Sequence, residues 1–441
     1  MGLRDILLFL FVFCAIPFII RRPWIGVLFW VWFGLANPHL MTFGPAQSFP
    51  FAALIAIVTL AGMAFSPKTM QVKKRPALLA LLLLAAWMTM TTFFAFNPAG
   101  AWPAWDRAMK VFLMTFVATL LINDRRQLVW FVGTIAISLG YFGTKGGLFT
   151  LRTGGHGMVF ASGGFLSENN ATGLAILMAI PLLWFFLQQA KRLWQKSFIA
   201  VSIMLSAAAV LGTQSRGAFL AICAIGLFLI LKSAHRIALA IALVCVASSL
   251  VLFMPQTWSD RMETIETYQK DSSAMGRIAA WRMVTKLAAD RPLIGGGFEC
   301  YTPDVYARYG EGGDSILAAH SIYFQVLGEH GYIALLLFLA VWLFTWRDAT
   351  ATIRAASKRD DLLWAADLCR MLQVSLVGYL VGGAFLSLAN WDLPYYLMVG
   401  VVVARSIVER EVDADGTVAV SAESTRFRPD APHLSQRDPV R

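Results

Sequence analysis

Apolar runs of membrane-spanning length recur along almost the whole of this 441-residue chain, and they leave few architectures open. They fall at 5–20, 23–37, 50–66, 76–95, 108–122, 127–143, 171–188, 195–213, 217–232, 236–254, 332–347, 363–388 and 393–408. A hydrocarbon core of about 30 Å is crossed by a helix of about 20 apolar residues. Hydrophobic residues make up 58% of the chain and charged residues 14%, too little charge to clothe a soluble fold of this length. Inside a bilayer every backbone N–H and C=O must find a partner within the protein, so only helices and closed barrels cross it. Period-two alternation is absent, which excludes a barrel. The expected fold class is all-α: a polytopic integral membrane helical bundle of about 12 transmembrane helices. The first two runs are short and split by "RRP", so twelve and thirteen crossings both stay open at roughly 20 residues a span.

The formal net charge of +11 raises the question of nucleic acid, but its distribution answers otherwise. Basic residues collect in short loops: "SPKTMQVKKRP", "NDRRQ", "KRLWQK" and "KSAHR". That is the positive-inside pattern, marking those loops as cytoplasmic, and no nucleic-acid motif accompanies them. "KSAHR" inside puts the long segment 255–330 outside, and "RDATATIRAASKRDD" inside, after the next span, agrees. The same rule puts 144–170 and the turn "GTQSRG" outside. "RRPW" is the misfit; both termini are expected in the cytoplasm. The expected organisation is 1–254 N-terminal transmembrane helices, 255–330 a periplasmic loop with amphipathic helices, 331–408 C-terminal transmembrane helices, and 409–441 a polar, disordered cytoplasmic tail. The N-terminus lacks a small-residue cleavage site and reads as an uncleaved first span. Four of five cysteines lie in apolar runs and Cys300 in the loop, which gives no disulfide framework and no CxxC metal signature.

The long loop carries its own pattern. In "SSAMGRIAAWRMVTKLAAD", Ile278, Trp281 and Val284/Thr285 share one side of a helix while Arg277, Arg282 and Lys286 crowd another. "RPLIGGGFECYTPD" breaks that helix. "DSILAAHSIYFQVLGEHG" reads as helical again, capped by Asp314 or Ser315 and ended by Gly331, with His320, Tyr323 and Phe324 on one side. The expectation is an interfacial helix pair folded over the outer mouth of a bundle.

The outer face gathers His320, Arg216, Arg277, Arg282, Arg152, Asn169 and Asn170. An imidazole titrates near pH ~6.5 and can accept a proton at neutral pH; nearby arginines favour its neutral, basic form. A lone histidine on a helix surface is ordinarily bland, and its company is what raises its weight here. Arg216 opens a span, where arginine is costly and usually functional, although snorkelling to headgroups is the plain alternative. Arg277 fits equally an amphipathic helix on anionic lipid. Several arginines on an outer face suit a pyrophosphate, because the guanidinium fork binds two phosphate oxygens and stays charged. Metal-ligand motifs are missing: no paired carboxylates in an early outer loop and no HExxH. GxSxG and a Cys/His pair are missing too. No metal and no cofactor are expected.

In order, "SENNATGLA", "TQSRGAFLA", "MGRIAAWR…RPLIGGGF" and "AAHSIYFQVLGEHGYIALLLF" resemble the O-antigen ligase and O-antigen polymerase superfamily over about residues 160–345. Each motif is short; the ordered set is the specific signal. The stretch "RRPWIGVLFWVWFGLANPH" also resembles an O-glycosylation ligase subgroup found beside exosortase genes. The resemblance implies a metal-independent GT-C-type glycosyltransferase of the bacterial inner membrane, multi-pass, with its active site facing the periplasm. It would move a glycan from undecaprenyl pyrophosphate to a sugar hydroxyl of lipid A–core, with inversion. Carried over by motif, His320 is the catalytic base, and Arg216 and Arg277 bind pyrophosphate, with Arg282 as fallback if the loop helix is rotated. Asn169 or Asn170 takes a supporting position ahead of the seventh span, and Tyr323 is a further supporting residue. A polymerase and a protein O-glycosylation ligase share this fold and differ in acceptor. A lipid-linked glycan or solute transporter is the rival from another class; it would favour pseudo-symmetric halves and charges mid-span, whereas here the arginines collect on one side.

Overall fold

The computed structural model describes residues 2–161, 163, 167–232, 236–263, 272–311 and 316–426. The described residues form helices and connecting turns, with no strand. In chain order the α-helices are α1 (Leu3–Arg21), α2 (Trp24–Ala36), α3 (Phe51–Phe65), α4 (Pro76–Thr92), α5 (Pro98–Leu121), α6 (Arg125–Arg152), α7 (Asn169–Gln189), α8 (Leu193–Gly212), α9 (Arg216–Lys232), α10 (Arg236–Phe253), α11 (Gln256–Glu263), α12 (Ser272–Asp290), α13 (Pro303–Tyr309), α14 (Ile322–Ala356), α15 (Leu363–Gly382) and α16 (Asp392–Arg426). Among the described residues, six helices are long and apolar enough to cross a membrane: α1, α6, α7, α8, α14, and the stretch 360–385 that contains α15. Shorter apolar helices include α2, α3 and α4. At 1.5 Å per residue α2 spans only about 20 Å, short of a hydrocarbon core, so the pair split at "RRP" is a long helix followed by a short one.

The centre of the bundle is α7, α14, α15 and α16, with α6, α8, α4 and α9 packed around them. Helices hydrophobic all round belong in such a core, and α16 buries every residue from Asp392 to Ala404. The two ends differ in kind. At one end Arg75 pairs with Glu409, and Lys73 Nζ donates to Asn123 Oδ1 at 2.7 Å. There too, Arg410 reaches Gln71 and the Asn123 carbonyl, and Arg359 reaches the Glu411 carbonyl. These are the basic loops of the positive-inside pattern. The opposite end carries the turns after α4, α6 and α8, the long segment with α11–α13, and the turn between α15 and α16.

Four expectations change. The stretch 144–152 is not loop: α6 runs on to Arg152. Its glycines serve close packing, since a Cβ at Gly147 would run into the Leu205 carbonyl of α8. The tail does not begin as a coil at 409, because α16 continues to Arg426 and Glu409 and Arg410 bond back across the bundle end; 427–441 lie outside the described residues. His320 is not on a helix: residues 316–320 lie outside any helix and α14 starts at Ile322, with Ser321 at its N-cap. The alternative caps Asp314 and Ser315 lie outside the described residues. The expected stop at Gly331 is present as a break inside α14, where φ is +76°; a Cβ there would sit 2.5 Å from the Pro292 and Leu293 carbonyls. His330, in the same turn, is fully buried. Its Nδ1 lies 2.7 Å from Thr91 Oγ1 and its ring stands edge-on to Phe298 at 4.3 Å.

Candidate functional site

The three glycines of "RPLIGGGF" set the outer architecture. Gly296 N–H donates to the Gly328 carbonyl at 2.8 Å and Gly297 N–H to the Glu329 carbonyl at 2.7 Å. These carbonyls belong to the turn of α14 that Gly331 ends, so the loop caps it from outside. The same loop accepts from Phe96 N–H through the Gly296 carbonyl (2.8 Å), and Arg291 donates to the Phe94 carbonyl (2.8 Å) while stacking on the Phe96 ring. The long segment is thereby docked onto the α4–α5 turn.

Helix α12 forms where the periodicity predicts a helix, but its buried face is rotated from the expected one: Thr285 is exposed, Ile278 and Trp281 are half-buried, and Arg277 and Arg282 do not share a side. Ala280, Met283, Val284, Leu287 and Ala288 are buried against the first turns of α14. Trp281 stacks on Phe324, with centroids 5.0 Å apart and planes 6° from parallel. Its Nε1 donates to the Ala319 carbonyl at 2.7 Å. Arg277 lies four residues before Trp281, hence on the same face one turn away. The backbone before His320 is thus tied to the helix that carries Arg277. On its other side His320 N–H donates to Ser387 Oγ at 3.0 Å, and His320 itself has φ +43°. Left-handed backbone in a non-glycine residue is strained, and such strain is held by its surroundings, typically at functional positions.

Arg216 is the first residue of α9, whose start is capped by Ser215 Oγ accepting from Ala218 N–H at 3.1 Å. The turn before it is held by Asn169, whose Nδ2 donates to the Thr213 carbonyl at 2.8 Å, and by Gln214, whose Nε2 donates to the Gly155 carbonyl at 3.3 Å. Asn170, Arg216, Arg277, Ser273 and the Phe385–Leu386 backbone then line one cavity of about 40 Å³. The choice between the two asparagines is resolved: Asn169 braces the turn and Asn170 faces the cavity. The N-termini of α7 and α9 both end here and add their positive dipole ends to the two guanidinium groups. His320 is half-buried. Burial pushes its pKa below the ordinary 6.5, Arg277 pushes it further down, and Glu168 acts in the opposite sense. The imidazole is therefore neutral at neutral pH and lies within electrostatic reach of Arg277.

Arg282 does not join this group. It is exposed and pairs with Glu311 at 3.1 Å, a partner it shares with Lys286; five positions along a helix from Arg277 put it on another side. Tyr323 is half-buried and its hydroxyl donates to the Leu380 carbonyl at 2.8 Å, bracing α14 on α15. Arg152 is exposed. Arg282→Ala is expected to leave turnover at the wild-type rate, whereas Arg277→Ala lowers it; side-by-side assay of the two variants checks the rotation of α12. Trp281 and Ser387 were not singled out by sequence reasoning as site residues. Trp281 could have been: an indole four residues from an arginine on an amphipathic helix is a natural clamp. Ser387 carries no local signal. Among the described residues, no group of three or more His, Cys, Asp and Glu is placed to hold a metal ion.

No curated protein matches the chain. Residues 3–191 match a family of unknown function, DUF5935, and residues 201–339 match the O-antigen ligase family. The second match contains Arg216, Arg277 and His320, and it supports a place for this part of the chain in the O-antigen ligase superfamily.

Proposed function

We propose that the protein is a GT-C-type glycosyltransferase that ligates a glycan from undecaprenyl pyrophosphate to a sugar hydroxyl of lipid A–core at the periplasmic face of the bacterial inner membrane. The observation that carries this reading is the convergence of His320, Arg277, Arg216 and Asn170 at one end of the bundle, on the side opposite the basic loops. The positive-inside rule assigns the basic end to the cytoplasm, and the site then faces out. About twelve crossings at roughly 20 residues each fit the apolar runs.

The chemistry follows from the residues. The neutral imidazole takes the proton of the acceptor hydroxyl as its oxygen attacks the anomeric carbon. The bond from that carbon to the pyrophosphate oxygen breaks through an oxocarbenium-like transition state. Its electron pair leaves on the pyrophosphate, where Arg216, Arg277 and two helix N-termini stabilise the growing charge. One displacement inverts the anomeric centre, and no cofactor is required.

The test is transfer in vitro from lipid-linked glycan to purified lipid A–core, with and without EDTA. Addition of one preassembled glycan, unaffected by the chelator, is the expected result. Loss on chelation would overturn the arginine-based account. A ladder grown on lipid would identify a polymerase, transfer to protein an O-glycosylation ligase, and uptake into vesicles without covalent transfer a transporter.

A further inference from the structure

A second cavity, of about 180 Å³, lies on the other side of the Phe385–Ser387 wall. It is built from the docked loop (Glu299, Tyr301), the first turns of α14 (Gln325, Glu329) and the turn before α16 (Ser387, Asn390). It touches the reacting residue through backbone: Ala318 lines it two residues before His320, and Ser387, which lines it too, accepts the His320 N–H at 3.0 Å.

Its chemistry is unlike that of the arginine cavity. Glu329 is buried. Gln325 holds the wall together, with Oε1 accepting from Ala389 N–H at 3.2 Å and a side-chain hydrogen bond to the Glu329 carboxyl. Glu299, at φ +53°, is held against Arg107 at 3.6 Å. The Tyr301 hydroxyl and Asn390 Oδ1 are both buried and meet no hydrogen-bonding partner. Buried polar atoms are ordinarily satisfied, and each exception calls for an explanation. Here both exceptions line a single cavity. A buried carboxyl, a hydroxyl and an amide oxygen complement a neutral polyol, whose hydroxyls donate to Glu329 and Asn390 and accept from Tyr301; Arg107, which also lines the cavity, is engaged by Glu299. The volume suits one sugar ring or a few ordered waters; an extended glycan would leave the rest of its length outside.

We propose that this cavity binds one pyranose ring of the acceptor glycan, on the opposite side of the Phe385–Ser387 wall from the pyrophosphate. The assignment to the acceptor rests on the transferase reading above; the cavity's fit to a sugar ring does not. The first cavity gathers guanidinium groups for the pyrophosphate, and this one gathers uncommitted hydrogen-bonding groups for hydroxyls.

The experiment uses the full chain in nanodiscs, with wild type, Tyr301→Phe, Glu329→Gln and Asn390→Leu compared. Binding of deacylated lipopolysaccharide core oligosaccharide, methyl hexopyranosides and inorganic pyrophosphate is measured by saturation-transfer NMR, and transfer kinetics are run in parallel. Tyr301→Phe removes one oxygen and Glu329→Gln keeps the shape, so both serve if Asn390→Leu fails to fold. The expected result is about tenfold weaker sugar binding and a similarly raised KM for acceptor, the scale of one or two lost hydrogen bonds. Pyrophosphate binding and the KM for donor stay unchanged. Wild-type sugar binding in all three variants, or no sugar binding by the wild type, would show that the cavity holds water and overturn the proposal. If His320-dependent transfer persists with unaltered acceptor KM, the cavity assignment fails and the transferase reading stands. If the wild type binds sugar at this cavity but transfers nothing, the reverse holds.

Discussion

His320→Ala is expected to lower glycan transfer by about 10²–10⁴-fold, the usual contribution of a positioned general base, while the protein still inserts and folds. Folding should survive because the contacts that hold this segment are made by backbone. Trp281 bonds the Ala319 carbonyl and Ser387 the His320 N–H, and neither needs the imidazole. The measurement is initial rate with saturating donor and acceptor, beside thermal unfolding of the detergent-solubilised variant. Wild-type-like transfer would remove His320 from the mechanism. The pH profile supplies an independent check. A base works in its neutral form, above its pKa, and burial with Arg277 holds this pKa below 6.5. Transfer should therefore rise through a midpoint on the acid side of 6.5 and be flat through neutrality. In Arg277→Ala the residual activity should show that midpoint displaced to higher pH, because the one charge depressing it is gone and burial alone remains.

Removing the guanidinium groups is the second large effect. Arg216→Ala and Arg277→Ala are each expected to cut kcat by about 10²–10³-fold, as loss of one donor to a developing anion typically does. Both arginines line the same cavity as Asn170, and charge on the leaving oxygen is largest in the transition state, so kcat should suffer more than donor KM. Lysine at either position should restore only part of the rate, since it keeps the charge and loses the planar fork. The double variant should fall short of the product of the single losses, because two groups on one anion act as a unit. Equal losses in kcat/KM from KM alone would place the arginines in ground-state binding.

Much of the architecture was legible because membranes constrain sequence so strongly. The apolar runs marked helices, and the periodicity of 272–290 marked α12, although its buried face is Ala280, Met283, Val284, Leu287 and Ala288 and not the side of Ile278, Trp281 and Thr285. Gly331 was readable as a stop, and Arg216 as the first residue of a span. What failed was local propensity under tertiary control. "AAHS" has the composition of a helix, yet Trp281 and Ser387 hold its backbone outside one, so His320 lies ahead of α14 and off its surface. The span expected to end at 143 runs on to Arg152, where glycines admit α8 at close range. The division of labour between Asn169 and Asn170, and the gathering of Tyr301, Glu329 and Asn390, depend on segments distant in sequence. No periodicity announces them.

The break at Gly331 has a mechanical consequence. Residues 332–356 of α14 form a stretch of apolar helix that must adjust its tilt to the hydrocarbon thickness around it. The nine residues before the break (Ile322–His330) are clamped instead by the Gly296 and Gly297 amides, and Tyr332 N–H is bonded to the Pro292 carbonyl at 2.8 Å. The backbone is thus held on both sides of Gly331 by the 292–297 loop, so mismatch strain from a thicker or thinner bilayer is expected to be taken up by the helix beyond Tyr332 before it reaches His320. Reconstitution across lipids of increasing acyl length should then shift the orientation of this helix while leaving turnover nearly constant: a catalytic end insulated from the elasticity of the membrane that carries it.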